Sequence, residues 1–158
     1  MKTIAETIAA YPYMFEGEAL GLTLHRGWLP TFANLCHDVD ELLGEDKRSF
    51  RWIELKEMSG AARWCAHHDF KGDESLMPVE PNLSAATIDG IINVAQDETS
   101  KLCIVCGGPA KVASHGGWYL CLCQGHSGAL VQGRKLPNFE FTIGQDDPFD
   151  PWGECGGS

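Results

Sequence analysis

The chain has 158 residues, 44% hydrophobic and 22% charged, which suits one domain with a small appended module and excludes a wholly disordered chain. Its net charge of −10 argues against a general DNA- or membrane-binding surface, though not against a local basic patch. No apolar run approaches the ~18 residues of a membrane span, and Glu6 interrupts the N-terminal apolar stretch with no cleavage site after it, so a cytoplasmic protein without a signal peptide is expected.

In chain order, Thr3 is placed to cap a helix whose Ile4, Ile8 and Tyr11 share a face and which Pro12 stops. Residues 18–25 set Leu20, Leu22 and Leu24 against Gly21, Thr23 and His25, the pattern of a half-buried strand. After a turn at Gly27, a helix from about Trp28 to Leu43 gathers Trp28, Phe32, Leu35, Val39 and Leu42 on one face and stops at Gly44. Residues 50–57 and 61–67 read as a β-hairpin turning at Ser59-Gly60. Phe50, Trp52 and Glu54 fall on one side of it, Ile53 and Leu55 partly on the other. A polar loop over 71–82 leads to Ser84, a cap for a helix from Ala85 to about Glu98 that turns Ile88, Ile91, Ile92 and Ala95 inward. Residues 138–143 alternate like an edge strand, and residues 144–158 read as a loose acidic tail rich in Pro and Gly.

Seven cysteines, an odd number, suit a reducing compartment. Cys36 and Cys65 read as small buried hydrophobes and Cys155 as incidental. The other four crowd into residues 103–123. Cys103-x2-Cys106 followed by Gly107-Gly108 is a knuckle: two thiolates two residues apart meet one ion only where the chain turns tightly, and the glycines let backbone amides face the sulfurs. Cys123-x2-His126 repeats that gap, and a short helix over 127–135 is expected to carry this second pair in its first turn. Three sulfurs and one imidazole at this spacing suit tetrahedral Zn²⁺ in a treble-clef or ribbon-like finger. Cys121 competes with Cys123, and His115 with His126, although each is more simply a structural residue. Four protein ligands close the site, so the zinc is expected to be structural and not to activate water.

Residues 1–100 carry 8 basic and 17 acidic side chains, whereas residues 101–139 contain Lys101, Lys111, Arg134 and Lys135 and no acid. That basic face is the candidate for nucleic acid, at lower charge density than such readers usually show. The candidate partner-binding residues are Asp38, Asp40 and Glu41 on the second helix, with Asp146, Asp147, Phe149, Asp150 and Trp152 in the tail. His67, His68, Asp69 and Asp73 resemble a metal set, but neighbouring histidines on a strand point to opposite faces. Glu54 and Glu57 could form a carboxylate pair for acid/base work, with His67 as a further member of such a site, but no nucleophile or phosphate loop accompanies them.

The runs LKEMSGAARWC, SKLCIVCGG and GWYLCLCQGH, preceded by HRGWLPTFANLC, together resemble a group of small uncharacterised bacterial and prophage-type zinc-finger proteins over roughly Gly21 to His126. That resemblance implies Cys103, Cys106, Cys123 and His126 as ligands, leaves Cys121 outside, and implies no known reaction. Ser59 and Ala62 stand where the group tends to have an aromatic residue and a leucine. The whole is read as an α+β protein: residues 1–100 form helices packed on a small antiparallel sheet or hairpin, residues 101–137 the finger, and residues 138–158 the edge strand and tail. The expected function is non-enzymatic: an acidic zinc protein, encoded by a phage or prophage, that inhibits a host or defence nucleoprotein complex by docking on a basic surface. The alternatives are a nucleic-acid-binding regulator and an enzyme with an unrecognised site.

Overall fold

The computed structural model describes residues 3–17, 21–47, 49–69 and 85–143, the first three of residues 85–143 by backbone alone. The elements in chain order are α1 (Ile4–Ala10), a 3-10 turn at Pro12–Phe15, β1 (Gly21–His25), a 3-10 turn at Arg26–Trp28, α2 (Leu29–Leu43), β2 (Arg51–Met58), β3 (Ala61–His67), α3 (Ala85–Thr99), β4 (Lys111–His115), β5 (Trp118–Leu122), α4 (Gln124–Val131) and β6 (Glu140–Thr142). The mixture of helices and sheet is that of an α+β protein.

Local chemistry explains the boundaries. Thr3 and Glu6 form a reciprocal capping box at the start of α1, satisfying amides that have no partner inside the helix. Gly44 ends α2 at φ 64°. Ser59 and Gly60 both take positive φ (54° and 92°), the two-residue turn whose twist suits a hairpin. The Glu57 carboxylate accepts the Gly60 N–H at 3.0 Å.

The main sheet runs β3-β2-β1-β6, and it corrects the expectation of a purely antiparallel sheet. β1 and β2 are parallel, Leu22 facing Leu55. Parallel neighbours need a crossover, and α2 supplies it. β6 pairs antiparallel to the other side of β1, with Leu24 opposite Phe141, as the alternation at 138–143 predicts. The side assignment in β2 also changes. Its register shifts between Trp52 and Glu54, so Trp52 and Leu55, three residues apart, are both buried. This is the effect of a β-bulge.

α2 lies across this sheet through Leu29, Phe32, Leu35, Cys36, Val39 and Leu43. Phe32 stands 5.2 Å from the rings of both Trp52 and Trp64, and α3 adds Ile88, Ile92 and Ala95. Leu42 and Ile91 are only partly buried, and Cys65 is intermediate rather than buried. β4 and β5 form a separate two-stranded hairpin turning on Gly116-Gly117 at φ 63° and 92°. No helix among the described residues is long and apolar enough to cross a membrane.

Candidate metal centre

The knuckle is made by backbone hydrogen bonds. The Cys103 N–H donates to the Gly108 carbonyl at 2.7 Å, and the Gly107 N–H donates back to the Cys103 carbonyl at 2.8 Å. Gly107 takes φ 78°, where a side chain is strained. The second pair comes from the start of α4. Cys123 is the N-cap of that helix, its Sγ accepting the His126 N–H at 3.4 Å. α4 therefore begins at Gln124 rather than in the expected stretch 127–135, and His126 lies in its first turn.

Cys103, Cys106, Cys123 and His126 bring one ligand atom each to within 4.8 Å of one another. Cys106 and Cys123 sulfurs are 3.8 Å apart; His126 Nδ1 is 3.5 Å from Cys103 Sγ and 3.1 Å from Cys123 Sγ. Around tetrahedral Zn²⁺, with Zn–S near 2.3 Å and Zn–N near 2.0 Å, sulfurs stand about 3.8 Å apart and a sulfur and nitrogen about 3.5 Å. Two of the three separations match these edges and the third is shorter. Such a set can hold a metal.

Burial pushes the Cys106 thiol up to about 11, against the opposing hydrogen bond from Gly108. Burial acts the same way on Cys123, but hydrogen bonds from the His126 amide, the Cys106 and Cys103 thiols and the Gly125 amide prevail and hold it below the ordinary thiol range. Cys121 is fully buried outside the cluster; its thiol donates to the Ser100 carbonyl at 3.2 Å and is pushed up to about 11 by burial. His115 ends β4 opposite Trp118, away from the four.

The knuckle is anchored in the body of the protein. Gly27 N–H donates to the Ile104 carbonyl at 2.8 Å, and Trp28 Nε1–H to the Leu102 carbonyl at 2.9 Å. Ile104 N–H reaches the Cys121 carbonyl at 2.9 Å. Cys103, Ile104 and Val105 are all buried in the one core. Nothing in the spacing of cysteines signals this docking.

Comparison with protein-family models, with curated proteins and with solved structures finds no match.

None of the other described candidates joins these four residues. Asp38 and Glu41 are exposed on α2, and Glu41 meets His37 at 3.2 Å. Asp40, half-buried, is committed to two neighbours: it accepts from the Tyr13 hydroxyl at 2.6 Å and pairs with Lys47 at 2.8 Å. Burial opposes its ionisation, yet these two donors hold its pKa below the usual carboxylate value. Asp146, Asp147, Phe149, Asp150 and Trp152 lie outside the described residues, as do Asp73 and the Ser84 cap. Glu54 pairs with Lys56 and Arg63, and Glu57 caps its own turn. His67 and His68 turn to different carboxylates, Asp69 and Asp89. Lys101, Lys111, Arg134 and Lys135 are all exposed. The sequence reading missed the open aromatic tip of the hairpin, where Trp118 is 75% and Tyr119 57% exposed; a Gly-Gly-Trp-Tyr run carries the signal but leaves burial undecided.

Proposed function

We propose that Cys103, Cys106, Cys123 and His126 hold one structural Zn²⁺ and that the chain is a non-enzymatic interaction protein. The observation that carries the metal is the convergence of the four donor atoms to within 4.8 Å, with two of three donor separations matching the edges of a zinc tetrahedron. The order knuckle, hairpin, helix N-terminus supports a treble-clef arrangement, and the family resemblance implies the same four ligands. With four protein donors the ion has no free position for water, so its contribution is to folding.

The interaction reading is supported by charge. Residues 1–100 carry 17 acidic against 8 basic side chains, and Asp38 and Glu41 stand exposed on α2. Carboxylates so displayed match a basic surface where phosphates would otherwise sit. The partner class is a nucleic-acid-handling protein of a host or defence complex, and the chain acts as its phage- or prophage-encoded inhibitor.

Elemental analysis should find one zinc per purified chain, lost in Cys106→Ser. Capture from host lysate should recover a basic nucleic-acid-handling protein, released by salt and lost in the double variant Asp38→Lys, Glu41→Lys. A folded chain without zinc refutes the metal. Capture indifferent to both salt and charge reversal refutes the acidic docking face.

A further inference from the structure

We propose that the outer face of the finger binds single-stranded nucleic acid, a base stacking on Trp118 while Arg134 and Lys111 meet the phosphates. The inference goes beyond the proposed function, since it concerns the finger and not the acidic body.

Three observations converge. Trp118 is 75% exposed, although an indole is the side chain with most to gain from burial. It borders a cleft of about 490 Å³ shared with His115, Leu120, Leu130 and Val131. No side chain of α4 is fully buried, although Leu130 packs partly against the core, and Val131 at the cleft is 81% exposed. Among the described residues nothing covers Trp118 and Val131 on this face.

The stretch of chain that forms it is basic. Residues 101–139 hold four basic side chains and no acid. Lys111 and Arg134 have no acidic partner among the described residues. Lys101 meets the exposed Asp97 at 3.7 Å, and Lys135 shares a hollow with Glu140. The hairpin register pairs Lys111 with Leu122, Ala113 with Leu120 and His115 with Trp118. Paired residues share a face, so Lys111 lies on the Trp118 face, about 14 Å along the strand from His115. Arg134 follows α4 three residues after Val131 of the cleft, its N–H returning to the Ala129 carbonyl of α4 at 2.9 Å. An open ring near separated cations that have no acidic partner among the described residues fits a chain that alternates planar bases with phosphates. A duplex fits less well: four charges are sparse for it, and its bases are already stacked.

The test is fluorescence anisotropy of labelled 20-nucleotide mixed-sequence DNA and RNA with the zinc-loaded full chain at about 50 mM salt, where phosphate contacts are strongest. Single strands should bind more tightly than duplex. Trp118→Ala should weaken binding about tenfold, the usual loss of one stacked base, while Trp118→Phe retains most of it. Arg134→Glu should weaken binding and flatten its salt dependence. Zinc content and circular dichroism of each variant report the fold. No binding, binding unchanged in zinc-loaded Trp118→Ala, a preference for duplex, or equal competition by polyglutamate would overturn the proposal; the last outcome would assign the face to an acidic protein. Failure with one zinc per chain refutes this surface alone, whereas a folded chain lacking zinc refutes the metal reading.

Discussion

The His25 imidazole is buried between Trp28 and Phe139, ring centroids 5.1 and 6.3 Å away, and its Nδ1 has no hydrogen-bond partner among the described residues. Burial pushes its pKa down from 6.5 to about 4. The Glu140 carboxylate lies 3.7 Å from Nε2 and would favour the charged ring, but it is 61% exposed and screened, so burial prevails. The sign follows. Between about pH 6.5 and pH 4 the unfolded chain binds a proton at this site and the folded chain does not, so stability is full above 6.5 and falls with acid. The rate is about 1.4 kcal/mol per pH unit. Urea unfolding across this range should show a steeper loss for the native chain than for His25→Phe; equal slopes would contradict the assignment. Leucine alternation in β1 places His25 on the more open side. It could not reveal that residue 139 returns to cover it.

At the scale of elements, the contact that matters most is backbone on backbone. A Cβ at Gly27 would stand 1.9 Å from the Cys103 carbonyl oxygen and 2.7 Å from the Gly107 nitrogen. Neither atom can move without opening the knuckle. Gly27→Ala should therefore cost about 3 kcal/mol or more and weaken zinc retention against a chelator. Gly21→Ala, with nothing within 4 Å of the new methyl, should change stability by less than about 1 kcal/mol. Urea denaturation of the two variants checks the pair, and equal behaviour would disprove the interlock. The helices were readable because their apolar residues recur at helical spacing, as Phe32, Leu35 and Val39 do. β2 was misread because a bulge at Ile53 interrupts the period of two, and such a shift leaves no mark in composition. The start of α4 was misplaced because Cys123 serves both as helix cap and as a member of the cluster.

For the whole molecule, the finger and the body share one core: Cys103, Ile104 and Val105 from the knuckle pack in the same cluster as Trp28, Phe32 and Trp52. Chelation should consequently unfold more than the finger. Tryptophan emission from the buried Trp28, Trp52 and Trp64, and helical circular dichroism, should change together as zinc is withdrawn. A body that keeps its native emission after the metal leaves would show that the two parts fold separately. The four convergent residues were readable because metal ligands must cluster along short turns. The site of docking and the parallel pairing of β1 with β2 were not, since both depend on contacts between segments far apart in the chain.

The position of β6 has a consequence during synthesis. Thr23 and Thr142, which join hydroxyls at 3.1 Å across β1 and β6, are 119 residues apart. At about 5–20 residues per second of translation, β1 waits on the order of 6–24 s for its outer neighbour. For that interval the nascent chain carries an open strand edge, the feature through which growing polypeptides on neighbouring ribosomes can pair. Residues 1–100, already made by then, carry a net charge of 8 − 17 = −9, and mutual repulsion between such chains keeps their edges apart until the last strand arrives.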